Sequence, residues 1–154
     1  MAKEIERKFL VDKTKLPKLE NGITIKQGYI NTNDESVVRI RYTNEISYLT
    51  IKGKRKGITR SEYEYEIPSN DAKEMLEELC HKIYIEKTRY IININNKKWE
   101  IDLFYGLNSN LIIAEVELDS EDEEIKIPNW VISEISKDSK YTNKYLYNNP
   151  YSKW

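Results

Sequence analysis

The sequence predicts a mainly β (α+β) protein built from antiparallel strands with a few flanking helices. Short segments alternate charged and apolar residues with the period of two that places successive side chains on opposite faces of a strand. Short turns containing Asn or Gly separate these segments, as expected for neighbouring antiparallel strands. The 154 residues contain neither a repeat nor a long linker, so we expect one domain over residues 1–154.

Eight strands follow from this alternation. They are predicted over residues 3–12, 23–30, 37–42, 48–52, 61–67, 83–94, 98–105 and 111–118. Gly28 weakens the second strand or marks a bulge in it, since glycine is disfavoured inside strands. The acidic run at 119–124 is predicted to be a solvated loop.

Helices are predicted at three places, and the clearest covers residues 70–81. Asn70 is a suitable N-cap and Asp71 favours the positive end of the helix dipole. Apolar residues follow at helical spacing, which makes Cys80 a predicted core residue rather than a nucleophile. Shorter helical segments are predicted at 14–19 and 140–147.

The composition excludes several classes of protein. The 25 basic and 26 acidic residues leave a net charge of -1, so binding of nucleic acid polymers receives little support. One cysteine and one histidine exclude an internal disulfide and argue against a zinc site. The first twelve residues are too charged for a signal peptide and no apolar run could span a membrane, so the sequence predicts a cytoplasmic protein.

Like charges recur two residues apart on the predicted strands. The pairs are Glu4 and Glu6, Arg39 and Arg41, Glu62 and Glu64, Lys87 and Arg89, Glu100 and Asp102, and Glu115 and Glu117. Like charges side by side on a strand are unfavourable unless an opposite charge lies between them. Two architectures remain open at this point: a sheet with one wet charged face, or a closed barrel whose charged lumen holds a multivalent anion and divalent cations.

The first strand resembles a known signature. Glu4-Ile5-Glu6-Arg7-Lys8 resembles the ExExK motif of the CYTH superfamily, the triphosphate tunnel metalloenzymes. Further similar segments follow in the expected order: Gln27-Gly28-Tyr29, Val38-Arg39-Ile40-Arg41, Leu49-Thr50-Ile51-Lys52-Gly53, Arg60-Ser61-Glu62-Tyr63-Glu64, Glu86-Lys87-Thr88-Arg89, Trp99-Glu100-Ile101-Asp102 and Ala114-Glu115-Val116-Glu117. The resemblance implies a closed eight-stranded antiparallel β-barrel tunnel with a polar, charged lumen.

The resemblance also implies roles for individual residues. The bases that would bind a linear triphosphate are Lys8, Arg39, Arg41, Lys52, Lys87 and Arg89. The carboxylates that would hold Mg²⁺ or Mn²⁺ are Glu4, Glu6, Glu62, Glu64, Asp102, Glu115 and Glu117, since hard cations prefer oxygen ligands. The residues expected to act directly in catalysis are Lys8, Glu4, Glu6 and Lys52. Glu66 and Glu100 are expected to be structural partners for the bases.

Similarity to the short bacterial members implies a function. The expected enzyme is a metal-dependent phosphoanhydride hydrolase that splits inorganic tripolyphosphate into pyrophosphate and phosphate by attack of metal-activated water. An adenylate cyclase, a nucleoside or thiamine triphosphatase, and a non-catalytic polyphosphate-binding module stay open as alternatives. The partner would be a small-molecule triphosphate, and the protein a monomer or homodimer.

Two regions have no single interpretation from the sequence. The basic loop 53–57 either admits substrate or is plain surface, and surface is favoured. Lys137 lies where relatives carry a threonine-containing stretch, which makes it a candidate substrate contact. Tyr141, Asn143 and Leu146 resemble the closing C-terminal helix of the family.

Overall fold

The computed structural model describes residues 3–81 and 83–154, and most of them lie in antiparallel strands. The strands are β1 (Lys3–Val11), β2 (Ile23–Ile30), β3 (Val37–Tyr42), β4 (Ser47–Lys52), β5 (Thr59–Ile67), β6 (Ile85–Ile94), β7 (Lys97–Phe104), β8 (Ile112–Glu117) and β9 (Val131–Glu134). The helices are α1 (Ser69–Leu79) and α2 (Asn143–Asn148), with 3-10 turns at Lys13–Lys15, Gly106–Asn108, Ser139–Tyr141 and Tyr151–Lys153.

The first eight strands close into a barrel. Hydrogen bonding runs β1-β8-β7-β6-β2-β3-β4-β5, and β5 returns to β1 through the pairs Lys3 with Ser61, Glu4 with Arg60 and Ile5 with Thr59. This confirms the closed eight-stranded antiparallel barrel, and each of the eight strands begins and ends within two residues of its predicted bounds. Closure also decides between the two architectures, because the charged faces of the strands now enclose a lumen.

Some local predictions were wrong. The strand β9, which pairs with the second half of β1, was not predicted, because four residues are too few for alternation to stand out. The α1 helix begins at Ser69 after Pro68, so Asn70 is not its N-cap. The segment 14–19 contains only the 3-10 turn at Lys13–Lys15, whose preceding Asp12 accepts a hydrogen bond from the Thr14 amide.

Three apolar clusters support the barrel from outside and at one end. One lies on the apolar faces of β1, β7 and β8 and includes Phe9, Trp99 and Trp130, whose tryptophan rings meet edge to face at 5.3 Å. A second joins α1 to β3 through Ile40 and Leu76. The third surrounds Leu146 and Tyr147 of α2 and is formed by Leu111, Ile113 and Ile135 together with Tyr29, Val37, Ile85 and Phe104. No helix within residues 3–81 and 83–154 is long and apolar enough to cross a membrane.

Gly28 is required by the approach of α1 to β2. β2 keeps its register with β3 through this residue, so of the two alternatives for Gly28 a bulge against β3 is wrong. A Cβ atom at residue 28 would lie 3.0 Å from Cys80 Cβ and 3.1 Å from Leu76 Cδ2. Burial in this contact raises the pKa of the Cys80 thiol to about 11, which agrees with a packing role for the cysteine.

We expect Gly28→Ala to destabilise the fold by about 1–3 kcal/mol, the usual cost of overpacking a close contact. The measurement is the free energy of unfolding in urea. Gly53→Ala is the matched control, because its Cβ would lie no closer than 3.5 Å to Ser61. The control should change stability by less than about 0.5 kcal/mol. Equal stability of the two variants would contradict a steric role for Gly28.

Candidate functional site

The barrel encloses a cavity of about 310 Å³ with a strongly charged lining. Most of the predicted site residues lie on its surface: Glu4, Glu6, Lys8, Arg39, Arg41, Lys52, Glu62, Glu64, Arg89, Glu115 and Glu117. Every barrel strand except β2 and β7 supplies at least one of them, because each strand presents alternate residues to the lumen. The structure therefore brings together residues that are more than one hundred positions apart in sequence.

The predicted residues Lys87 and Asp102 do not line this cavity. Both side chains are fully buried in its wall, where Lys87 Nζ lies 2.7 Å from Asp102 Oδ2 and donates to Asn143 Oδ1 at 3.0 Å. Arg89 donates to the same carboxylate from Nε at 2.7 Å and from Nη2 at 2.8 Å. Burial lowers the pKa of Lys87 to about 7, against the attraction of Asp102. The geometry makes Asp102 an anchor that orients Arg89.

Glu4 lies where the barrel closes. Lys52 Nζ donates to both its carboxylate oxygens at 2.8 and 2.9 Å, and Arg60 Nε donates at 3.2 Å. Lys52 Nζ also lies 2.8 Å from Glu62 Oε2. Burial by itself would raise the pKa of Glu4, but Lys52 and Arg60 outweigh it and bring the pKa to about 2. Glu4 is therefore held ionised.

Glu6 and Glu115 share one lysine. Lys8 Nζ lies 3.4 Å from Glu6 Oε1 and 3.3 Å from Glu115 Oε1, and all three side chains are nearly or fully buried. Burial and the charge of Glu115 raise the pKa of Glu6 to about 7. The pKa of Glu115 instead falls well below its usual range, because Lys8 and Arg89 overcome the effect of burial. Partial burial, with Glu4 and Glu62 nearby, raises the pKa of Glu117. The acidic side thus carries more negative charge than its neighbours neutralise.

The opposite imbalance occurs around the arginines. Arg41 donates from Nε to Gln27 Oε1 at 3.0 Å, and Gln27 is a neutral partner. Burial, with Arg39 and Arg89 nearby, lowers the pKa of Arg41 to about 9. Arg39 donates to Thr50 and Glu64, yet its Nε is buried without a hydrogen-bond partner in the described part of the chain. Buried positive charge without a counterion is suited to an anionic ligand.

Glu100, which was predicted to be a structural partner for the bases, lies in the cavity and forms an ion pair with Arg89. Other lining side chains were not predicted from the sequence: Arg60, Lys98, Lys144, Tyr29, Val37, Thr142 and Asn143. Strand alternation could have identified Arg60, two residues before Glu62, and Lys98, two residues before Glu100. Lys144 could not be identified in this way, since it comes from α2 and donates to Ser36 O at 3.1 Å. Lys137 does not line the cavity.

The carboxylates of the cavity are suited to hard cations, but several of them form ion pairs with lysine side chains in this structure. Within residues 3–81 and 83–154, no three acidic, histidine or cysteine side chains converge as a metal-binding group. Carboxylate oxygens are nevertheless the ligands that Mg²⁺ and Mn²⁺ prefer. The raised pKa values of Glu6 and Glu117 mark positions where an added cation would relieve crowded negative charge.

The fold and the lumen define a closed β-barrel protein with a deep charged cavity, and the comparisons specify its family. The CYTH domain matches residues 2–145. The chain is 46% identical over 151 residues to an inorganic triphosphatase of Acetivibrio thermocellus, covering 98% of this chain and 97% of the relative. It is 36% identical over 148 residues to an inorganic triphosphatase of Nitrosomonas europaea, covering 93% and 95%.

A solved structure is also similar to this chain along most of its length. The crystal structure of an inorganic triphosphatase superposes with a TM-score of 0.67 at 34% identity, covering 95% of each chain. The chain therefore belongs to the CYTH family, as the resemblance of its first strand predicts. CYTH triphosphatases are generally metal-dependent.

The raised pKa of Glu6 predicts how metal-free protein responds to pH. The folded state holds a proton on Glu6 up to about pH 7, whereas the unfolded state releases it near the ordinary value of 4.5. The folded state therefore binds more protons in this window, and Glu6 makes stability fall as pH rises through it. In EDTA, Glu6→Gln should gain about 1–3 kcal/mol relative to the wild type between about pH 5 and about pH 8.

Urea unfolding at several pH values measures this difference. Glu20→Gln is the control, because Glu20 is an exposed residue on the loop before β2. The Glu6→Gln difference should depend more strongly on pH than the Glu20→Gln difference. A Glu6→Gln difference that stays constant across the window would contradict the raised pKa of Glu6.

Proposed function

We propose that this protein hydrolyses inorganic tripolyphosphate to pyrophosphate and phosphate with the help of Mg²⁺ or Mn²⁺. The observation that carries the proposal is that the buried charges of the lumen are only partly neutralised: Arg41 donates to the neutral Gln27, and Glu6 shares Lys8 with Glu115. The two curated relatives described above, both inorganic triphosphatases, support the choice of substrate.

The basic side supplies the substrate site. Arg39, Arg41 and Arg89 project into one cavity, and the uncompensated charge around Arg41 favours a polyanion there. A guanidinium can donate two parallel hydrogen bonds to phosphate oxygens, so an arginine cluster suits a chain of phosphates better than lysines alone. Asp102 holds Arg89 through two hydrogen bonds, which fixes the orientation of this donor.

The acidic side fits a divalent cation by the chemistry of its oxygens. Glu4, Glu6, Glu115 and Glu117 are the carboxylates we propose as ligands, with Glu62 and Glu64 beside the substrate. A bound Mg²⁺ or Mn²⁺ would neutralise phosphate oxygens and lower the pKa of water in the site. Asp102 is a less suitable ligand, because it is fully buried and already paired with Lys87 and Arg89.

Lys8 and Lys52 connect the two sides. In the described structure they neutralise Glu6, Glu115, Glu4 and Glu62. With a triphosphate in the cavity, each lysine would donate to phosphate oxygens, and the carboxylates that it leaves would be available to hold a cation. The cation would offset part of the negative charge that the triphosphate brings into the buried site. Catalysis would come from positioning the phosphate chain and stabilising the charge that develops on it.

The lining favours an inorganic chain over a nucleotide. Among the described lining residues, only Tyr29 and Val37 offer apolar or aromatic surface, and the remainder are charged or polar. Base recognition usually requires stacking or apolar contact, as ligand sites for organic groups generally do. A cyclase or a nucleoside triphosphatase therefore has less support than a tripolyphosphatase.

The decisive experiment identifies the products. Given tripolyphosphate and Mg²⁺ or Mn²⁺, the protein should release equal amounts of pyrophosphate and phosphate, and in heavy-oxygen water one product should carry the label. EDTA should abolish the reaction. Cyclic AMP as the main product from ATP, without uptake of label, would make the protein a cyclase. Binding of tripolyphosphate without any release would make it a binding module.

The basic residues should contribute strongly to turnover. Lys52→Ala and Arg41→Ala each remove a buried cationic donor from the cavity. The transition-state stabilisation calculated from kcat/KM should therefore fall by about 2–4 kcal/mol in each variant. Lys54→Ala is the control, because Lys54 is exposed on the adjacent loop and pairs with Glu35. A larger loss in Lys54→Ala than in the two lumen variants would contradict the assignment of substrate to the lumen.

A further inference from the structure

The loop between β4 and β5 is held against the first strand of the barrel. Lys56 and Thr59 exchange two backbone hydrogen bonds of 2.7 and 3.0 Å, and Gly57 permits the turn between them with a φ of 62°. The Glu6 amide then donates to Ile58 O at 3.4 Å. These bonds hold the loop beside the residue that carries the perturbed carboxylate of the lumen.

Neighbouring cations on this loop have different environments. Lys54 has 65% of its side chain exposed and pairs with Glu35 at the surface. Arg55 has only 25% exposed and points toward Glu6, with 3.8 Å between Arg55 Nη2 and Glu6 Oε1. That separation is too long for a hydrogen bond, and Nη2 is buried without a partner in the described part of the chain.

An unpaired buried guanidinium nitrogen is costly. A buried donor without a partner has lost its hydrogen bonds to water and has gained none in the protein. The cost in free energy is larger for charged groups. The nearest carboxylate, Glu6, is already shared with Lys8 and lies among the lumen residues. Arg55 therefore has no hydrogen-bonded carboxylate of its own in the described part of the chain. Its unpaired Nη2 donor is suited to an added oxygen acceptor.

We propose that Arg55 is a further substrate-binding residue, which turns its guanidinium from Glu6 to the terminal phosphate of a linear triphosphate. The inference rests on the proposed function. Its chemistry follows from the fork of donors, which matches the oxygens of a phosphate, and from the position of the loop beside Glu6 and Lys8. A terminal phosphate carries the highest density of charge in the chain and suits a donor approaching from a loop at the end of the barrel strands.

The test combines turnover with binding in the absence of turnover. The variants are Arg55→Ala, Arg55→Gln and Arg55→Lys, with Lys54→Ala as the matched control on the same loop. At saturating Mg²⁺, Arg55→Ala and Arg55→Gln should raise KM for tripolyphosphate by about tenfold to hundredfold, the range for a hydrogen bond to a charged group. We expect kcat to change less, Arg55→Lys to recover part of the loss, and Lys54→Ala to resemble the wild type.

Thermal shift in EDTA provides the binding readout. Tripolyphosphate should raise the Tm of the wild type and of Lys54→Ala, and raise that of Arg55→Gln much less. This measurement stands even if the wild type fails to hydrolyse tripolyphosphate, so failure of the proposed function and failure of the Arg55 assignment are distinguishable. Arg55→Gln covers the case in which the alanine variant does not fold.

Two outcomes would overturn the assignment. The first is an unchanged KM for tripolyphosphate together with an unchanged thermal shift in the Arg55 variants. The second is a rise in the Mg²⁺ concentration needed for half-maximal activity while KM for tripolyphosphate stays constant. That result would make Arg55 a positioning residue for the carboxylate of Glu6.

Discussion

The structure depends on the mutual neutralisation of charges that are buried inside a closed barrel. An ionised group removed from water costs several kcal/mol unless an opposite charge and hydrogen bonds replace its hydration. Lys52 meets this requirement for Glu4 where the barrel closes, and Lys8 does so for Glu6 and Glu115. Closure of the barrel therefore depends on acids and bases from different strands meeting in the lumen.

Neutralisation in the lumen is incomplete, and the incompletely neutralised residues support the ligands that we propose. The pKa of Glu6 is raised and that of Arg41 is lowered, because each charge is buried without enough opposite charge around it. An added cation would stabilise ionised Glu6, and an added anion would stabilise charged Arg41. Perturbed pKa values of this kind concentrate at functional sites. In the proposed function, a phosphate chain with a divalent cation would supply both charges together, and the lysines between the two sides would donate to the phosphates.

A barrel with a charged interior must obtain its apolar core elsewhere. Here the apolar faces of the strands point away from the lumen and are covered by α1 and by residues such as Trp130 from outside the barrel strands. One further cluster, around Leu146 of α2, packs against Tyr29 and Phe104. The same helix brings Asn143 to Lys87 and Lys144 to the cavity, so packing and the site share one element.

The sequence by itself determined the barrel strands, the charged face of each strand and the family, because side chains alternate with a period of two whatever the tertiary contacts. It therefore identified most of the lumen residues, from Glu4 to Glu117. Alternation does not specify depth along a strand. Lys87 and Asp102 share the face of Arg89, yet Lys87 pairs with Phe104 across the sheet and both charges lie in the wall. Only the tertiary structure decided that Lys87 and Asp102 lie in the wall and not in the cavity. It also decided the position of Gly28 beneath α1 and of Arg55 beside Glu6, because these environments are formed by segments distant in sequence.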